Sequence, residues 1–165
     1  MADALEAATG APPLLVANAA DAGAWRPGLR VEPDVVPGLG SLGGILTAVE
    51  RAGPVVCVAW DMPFVPAGLL RELAAGLAEA DAVLPESDSR RGLEPLCAAY
   101  GPACAPAIRA AVAGGERRAI GFHDAIRLRK LDRSRVLQYG DPGVVFFNVN
   151  SPTDLARAET LCRPG

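Results

Sequence analysis

The sequence predicts a three-layer α/β fold with a Rossmann-like, mostly parallel sheet. Three observations carry that expectation. The run Val55-Val56-Cys57-Val58-Ala59-Trp60 is uninterrupted and valine-rich, as a strand covered on both faces would be. Short apolar strands alternate along the chain with helical stretches of about ten residues, the pattern of crossover connections. A chain of 165 residues suits one domain with a full core.

The elements follow in order. Ala2–Thr9 is rich in Ala, Leu and Glu and reads as a short helix closed by Gly10. Leu14–Ala17 is a brief strand ending in Asn18, and Gly28–Glu32 is another, ending near Asp34. Leu42–Arg51 has helical spacing at Leu42, Ile45, Leu46 and Val49. Val55–Trp60 is expected as the central strand, flanked by Leu14–Ala17 and Ala82–Leu84. Between them, Pro66–Ala80 carries Leu69, Leu70, Leu73 and Leu77 on one helical face, with Pro66 suited to a first turn. Leu93–Tyr100 reads as extended, and Cys104–Ala113 as a helix ended by Gly114-Gly115. Ile126–Leu131 and Val144–Phe147 are the last expected strands, and Pro152–Leu161 is a closing helix.

Composition narrows the function classes. A net charge of −3 gives no electrostatic reason to expect nucleic acid or an anionic membrane as partner. No apolar stretch reaches the roughly 18 residues of a membrane helix, and no secretory signal pattern is visible. The four cysteines form no C-x-x-C pair and sit mostly among apolar residues. They read as reduced packing groups, so a cytoplasmic protein is expected.

Asp61 stands where the longest apolar run ends, and Pro63 cannot continue a ladder. Ligands of open α/β sheets gather beyond the carboxyl ends of strands, and a carboxylate there suits a hard cation such as Mg²⁺ with substrate phosphates. The plainer reading is an acid opening a turn. The stretch Gly38-Leu39-Gly40-Ser41-Leu42-Gly43-Gly44 fails as a P-loop, because no long strand precedes it and no Lys-Ser/Thr follows. The sole lysine is Lys130. The glycines either let backbone approach a ligand or form a tight turn into a helix.

In order along the chain, Asp34, Gly40-Ser41-Leu42-Gly43-Gly44-Ile45, Asp61-Met62-Pro63-Phe64, Glu94-Pro95-Leu96 and Asn148-Val149-Asn150-Ser151-Pro152 resemble the motifs of the molybdenum cofactor guanylyltransferases. That family belongs to the nucleotidyltransferases with a glycosyltransferase-A-type sheet, the fold of nucleotide-diphospho-sugar transferases. Ser41 and Gly43 depart from the family's proline and alanine but keep the loop small. The resemblance spans Ala2 to Leu161. It also implies a strand, a glycine-rich phosphate loop and a lysine ahead of the first helix, roughly thirty residues. Residues 1–165 are therefore expected to be a single nucleotidyltransferase-like domain, N-terminally incomplete either through a start at an internal codon or as a naturally shortened relative.

The resemblance implies transfer of GMP from GTP to a molybdopterin-type acceptor, with release of pyrophosphate and Mg²⁺ as cofactor. Asp61 would hold the metal, with Asn148 and Asn150 as hydrogen-bonding groups in the catalytic set. Asp34, the backbone of Gly40, Ser41, Leu42, Gly43 and Gly44, and at its edge Asn18 would line the nucleotide site. A molybdoenzyme or another biosynthetic protein is the implied partner. The rival class is a non-catalytic relative that binds nucleotide, cofactor or a partner enzyme, and the chain as it stands would bind GTP poorly.

Other residues read more plainly. His123, the only histidine, reads as a surface or capping group. Arg127, Arg129, Lys130, Arg133 and Arg135 could meet the cofactor's phosphates, while the alternation at Arg127 and Arg129 equally fits the charge-guarded solvated face of an edge strand. Arg90 and Arg91 lie in an expected loop and could contact the acceptor. Trp60 and Phe64 read as packing rather than stacking groups.

Overall fold

The computed structural model describes residues 1–89 and 92–162. The chain opens with helix α1 (Ala2–Thr9), strand β1 (Leu14–Val16), the single turn α2 (Ala22–Trp25) and strand β2 (Arg30–Glu32). Helix α3 (Ser41–Ala52), strand β3 (Val55–Val58), helix α4 (Ala67–Gly76) and strand β4 (Ala82–Pro85) follow. Then come β5 (Cys97–Tyr100), α5 (Cys104–Ala113), a 3₁₀ turn at His123–Ala125 and β6 (Leu128–Leu131). The short α6 (Arg133–Val136) and α7 (Pro142–Val145) lead to α8 (Pro152–Leu161).

Local chemistry accounts for most boundaries. α1 ends where Gly10 turns left-handed at φ +72°, its amide reaching Glu6 O. α8 starts on a capping arrangement: Ser151 Oγ accepts from the Asp154 amide at 3.2 Å and donates to Asp154 Oδ2 at 2.7 Å.

β1 and β2 pair in parallel as a separate two-stranded sheet, while the larger sheet runs β3-β5-β4-β6. Its side chains alternate between two cores. Ala82, Leu84, Ala98 and Tyr100 pack with Leu42, Ile45, Leu46, Val49, Cys104 and Ile108 of α3 and α5. Val83, Cys97 and Ala99 pack with Leu69, Leu70 and Leu73 of α4, over which Leu5 and Ala8 of α1 lie. The three layers are therefore present.

Three expectations are corrected. β3 is not central: it lies at the end of the sheet, paired only with β5 among the described residues, and all four of its residues are half-buried. Apolar character on both faces reports the helices above and below a strand, and says nothing about lateral neighbours. The sheet is also mixed rather than mostly parallel, because β5 runs antiparallel to both β3 and β4. Among its described residues the segment joining β4 to β5 holds no helix, and it folds back through a Glu86–Leu93 bridge, whereas a parallel return needs a crossover of about a dozen residues or more. Finally, Val144–Phe147 is not a strand. Asp141 Oδ1 accepts from the Gly143 amide at 2.7 Å and Pro142 occupies the first turn, so a short helix starts there instead.

Candidate active site

The sheet hands the chain to a turn at Asp61. After β3, the Ala59 amide still reaches Leu96 O at 2.7 Å, and the Met62 amide then bonds Ala59 O at 3.2 Å. Met62 and Val65 are buried and pin this turn to the core, leaving Asp61 half-buried at its crest. The last loop is fastened onto it by the Val149 amide, which donates to Asp61 O at 2.9 Å. Asn148 and Asn150 therefore flank the residue that fastens the last loop to the Asp61 turn. Asn148 Nδ2 donates to Phe146 O at 3.0 Å, and the Asn150 amide to Asp154 Oδ2 at 3.2 Å. Phe64 and Phe147 pack alongside, 6.4 Å between ring centroids.

The remaining expected residues form a second cluster. Asn18, at the end of β1, makes two bonds with Asp34: Nδ2 donates to Asp34 Oδ2 at 2.8 Å, and Oδ1 accepts the Asp34 amide at 2.9 Å. Thr47, fully buried in α3, accepts the Val35 amide and donates to Gly43 O, locking this loop to the helix. Gly43 is packed tightly, since a Cβ there would stand 3.0 Å from Leu39 Cβ and 3.3 Å from Asp34 Oδ2. Gly40 turns at φ +55° to start α3, and a Cβ at Gly40 or Gly44 would meet nothing within 4 Å. Gly40 and Ser41 are exposed, whereas Leu42 is fully buried and offers only backbone. No hydrogen bond among the described residues joins this cluster to the Asp61 turn. A ring contact does: Trp25 of α2 meets Trp60 at 5.5 Å between centroids.

Two residues stand differently from the sequence reading: Glu94, there part of a motif but given no role, and Trp60, there a packing group. Glu94, half-buried, is held above the usual carboxylate range, first by burial and then by the charge of Asp61. Glu94 thus lies within charge-interaction range of Asp61, and its sequence signal is the Glu94-Pro95-Leu96 motif at the entrance to β5. Trp60 is the second: it is 64 % exposed, so it does not pack into the core as expected. Phe64 is half-buried against Phe147, as expected of a packing group.

Other expectations resolve on contact. His123 is buried against Phe122, not superficial, because the 3₁₀ turn folds it inward. Arg127 and Arg129 pair with Asp81 and Glu79 beside and on β6, as the charged guard of an edge strand would, while Arg133 and Arg135 of α6 pair with Asp88 and with Glu72 of α4. Arg90 and Arg91 lie outside the described residues. Among the described residues, no group of three or more His, Cys, Asp and Glu side chains could hold a metal ion. Asp61, Glu94 and Asn148 offer oxygen donors only, which suits Mg²⁺ shared with substrate phosphates rather than a cage of protein ligands.

The MobA-like NTP transferase domain family matches residues 1–128. A probable molybdenum cofactor guanylyltransferase of Pelotomaculum thermopropionicum is 31% identical over 150 residues, covering 90% of this chain and 72% of that protein. A molybdenum cofactor guanylyltransferase of Desulfosudis oleivorans is 31% identical over 130 residues, 76% of this chain and 63% of that one. The crystal structure of molybdopterin-guanine dinucleotide biosynthesis protein A from Archaeoglobus fulgidus superimposes with a TM-score of 0.80 at 29% identity, covering 96% of this chain and 82% of that one. The chain is accordingly a nucleotidyltransferase of the MobA-like NTP transferase family, similar over most of its length to the molybdenum cofactor guanylyltransferases.

Proposed function

We propose that this domain transfers GMP from GTP to the phosphate of a molybdopterin-type acceptor, releasing pyrophosphate. The observation that carries the reading is the Val149–Asp61 bond, which seats the Asn148–Asn150 loop on the carboxylate turn at the end of β3. Transfer between phosphates asks a protein for position and charge compensation rather than covalent chemistry. Asp61 would hold Mg²⁺, which when bound neutralises phosphate charge. Asn148 and Asn150 supply amide donors and acceptors to phosphate and acceptor oxygens. The Asn18–Asp34 pair and the open backbone at Gly40 and Gly44 receive the nucleoside, with the Asp34 carboxylate accepting from a guanine edge or ribose hydroxyl.

Residues 1–165 act in this reading as one nucleotidyltransferase-like domain whose triphosphate contacts come from a strand and glycine-rich loop ahead of Ala2. Its product would pass to a molybdoenzyme or another biosynthetic protein. None of the described helices is long and apolar enough to cross a membrane.

The test compares residues 1–165 with a chimera carrying the family's strand and glycine-rich loop ahead of Ala2. Calorimetry of GTP and Mg²⁺ binding, and chromatography of transfer products, are run on both. The chimera is expected to bind GTP and transfer GMP, and Asp61→Ala in it to lose at least about a hundredfold in rate while unfolding at an unchanged temperature. Undiminished transfer by Asp61→Ala would remove Asp61 from the mechanism. Tight GTP binding by residues 1–165 alone would show that the phosphates bind elsewhere.

A further inference from the structure

Resting on the guanylyl-transfer reading, we infer that Trp60, braced by Trp25, is a stacking platform for the planar pterin ring of the acceptor. Both tryptophans of the chain are in this one contact, 5.5 Å apart and tilted by 50°. Neither is buried: Trp25 is 43 % and Trp60 64 % exposed. Large rings left in water forgo much of the gain that burial brings, at roughly 25 cal/mol per Å² of apolar area. Core packing therefore does not account for the pair.

Their place in the fold points to the occupant. Trp60 directly precedes Asp61, and it walls a groove of about 600 Å³ together with Phe64, Val149, Leu155 and Cys162. That volume falls within the range of small-molecule sites. Val149 is also the residue bonded to Asp61 O, so the groove opens beside the carboxylate turn. None of Asn18, Asp34 or Gly43 lines it. The polar cluster at those residues has the hydrogen-bonding groups a nucleoside needs, whereas this groove presents chiefly rings and aliphatic carbons. Glu159, on its wall, is the one acidic side chain lining it among the described residues. A carboxylate there can accept from the amino and ring N–H groups at the pyrimidine edge of a pterin. A ring on Trp60 would carry its phosphate side chain toward Asp61. Another groove, about 680 Å³, lies at the other end of β3, by Pro54, Val55 and Gly101, and Asp61 does not line it.

Because both tryptophans are at this site, the intrinsic emission of residues 1–165 reports on it alone. The experiment titrates that chain with 6-hydroxymethylpterin and, separately, with GMP, correcting for absorption by the ligand. The pterin is expected to quench saturably, and GMP to leave the emission nearly unchanged. Trp60→Ala, followed through the remaining Trp25 and by calorimetry, should weaken pterin binding about ten- to a hundredfold, and Trp60→Phe should restore most of it. In the transfer-competent chimera, Trp60→Ala should raise KM for the acceptor and leave KM for GTP unchanged. Pterin affinity unmoved by Trp60→Ala overturns the platform, as does quenching by GMP in place of pterin. Pterin quenching that persists in a chimera unable to transfer GMP would sink the guanylyl-transfer reading and leave the platform standing.

Discussion

Val149 donates its amide to the carbonyl of Asp61, so the last loop of the chain rests on the turn that follows β3. The bond is made by backbone alone. Side-chain substitutions at Val149 keep it, and proline removes it.

Val149→Pro is therefore expected to detach Asn148 and Asn150 from the Asp61 turn. Losing one net hydrogen bond should cost about 1 kcal/mol of stability, against a far larger fall in transfer rate. Urea unfolding and kcat, measured on the same preparation in the transfer-competent form, check the split. Val149→Ala, which keeps the amide, should retain most of the rate.

Gly43 and Gly44 are neighbours with opposite expectations. Gly43→Ala pushes a Cβ against Leu39 and the Asp34 carboxylate. It should destabilise by about 1–3 kcal/mol, the usual cost of overpacking, and weaken nucleotide binding by displacing Asp34. Gly44→Ala enters open space inside a helix and should stabilise by about 0.5–1 kcal/mol. It should still weaken GTP binding, because the added methyl fills the approach to the backbone. Thermal unfolding and GTP calorimetry separate the two.

Burial holds the His123 imidazole below its usual range, the Asp124 charge opposing more weakly, and Nε2 finds no partner among the described residues. The folded protein thus keeps His123 neutral while the unfolded chain takes up a proton near pH 6.5. Its contribution is fully present above that pH and is lost as pH falls from about 6.5 toward the depressed folded value. His123→Phe should flatten the stability curve through that window. Subtracting variant from wild-type unfolding free energies between pH 7 and pH 4 isolates the effect, since carboxylates such as Glu116, lowered to about 2, titrate in both proteins.

Glu94 carries the opposite sign. Burial first, and the Asp61 charge second, hold its carboxyl above the usual range, so the folded state binds the proton more tightly than the unfolded chain. That contribution is full below about pH 4.3, the unfolded value, and fades as pH rises through the raised folded one. Glu94→Gln removes the repulsion and should raise the unfolding temperature at pH 7 while leaving it nearly unchanged at pH 4. An equal shift at both pH values would mean that packing, not charge, sets the effect.

What the sequence could reveal depended on the range of the interaction. Gly10, Pro66 and Ser151 act on their own helices, so α1, α4 and α8 were legible from a few residues each. The turn at Asp61 was legible because a strand running into an acid and a proline is a local event. The lateral neighbours of β3 were not, since pairing with β5 is decided by residues some forty positions away. Val144–Phe147 is too short for periodicity to separate helix from strand, and the cue that decides it, Asp141-Pro142, lies just outside the apolar run. Asn18 and Asp34 were both singled out, but their mutual bonds depend on β1 and β2 lying side by side. The exposure of Trp60 was hidden for the converse reason: its apolar neighbours in sequence turn away from it in space.

The outer edge of β3 has a practical consequence for anyone handling these 165 residues in isolation. Val55 to Val58 carry no charge, no internal proline and no bulge, the devices by which natural sheets discourage lateral recruitment. The edge is an adhesive seam, open to any extended chain that reaches it while the protein is concentrated or refolding. A lysine written into that seam would do more for solubility than several added elsewhere on the surface.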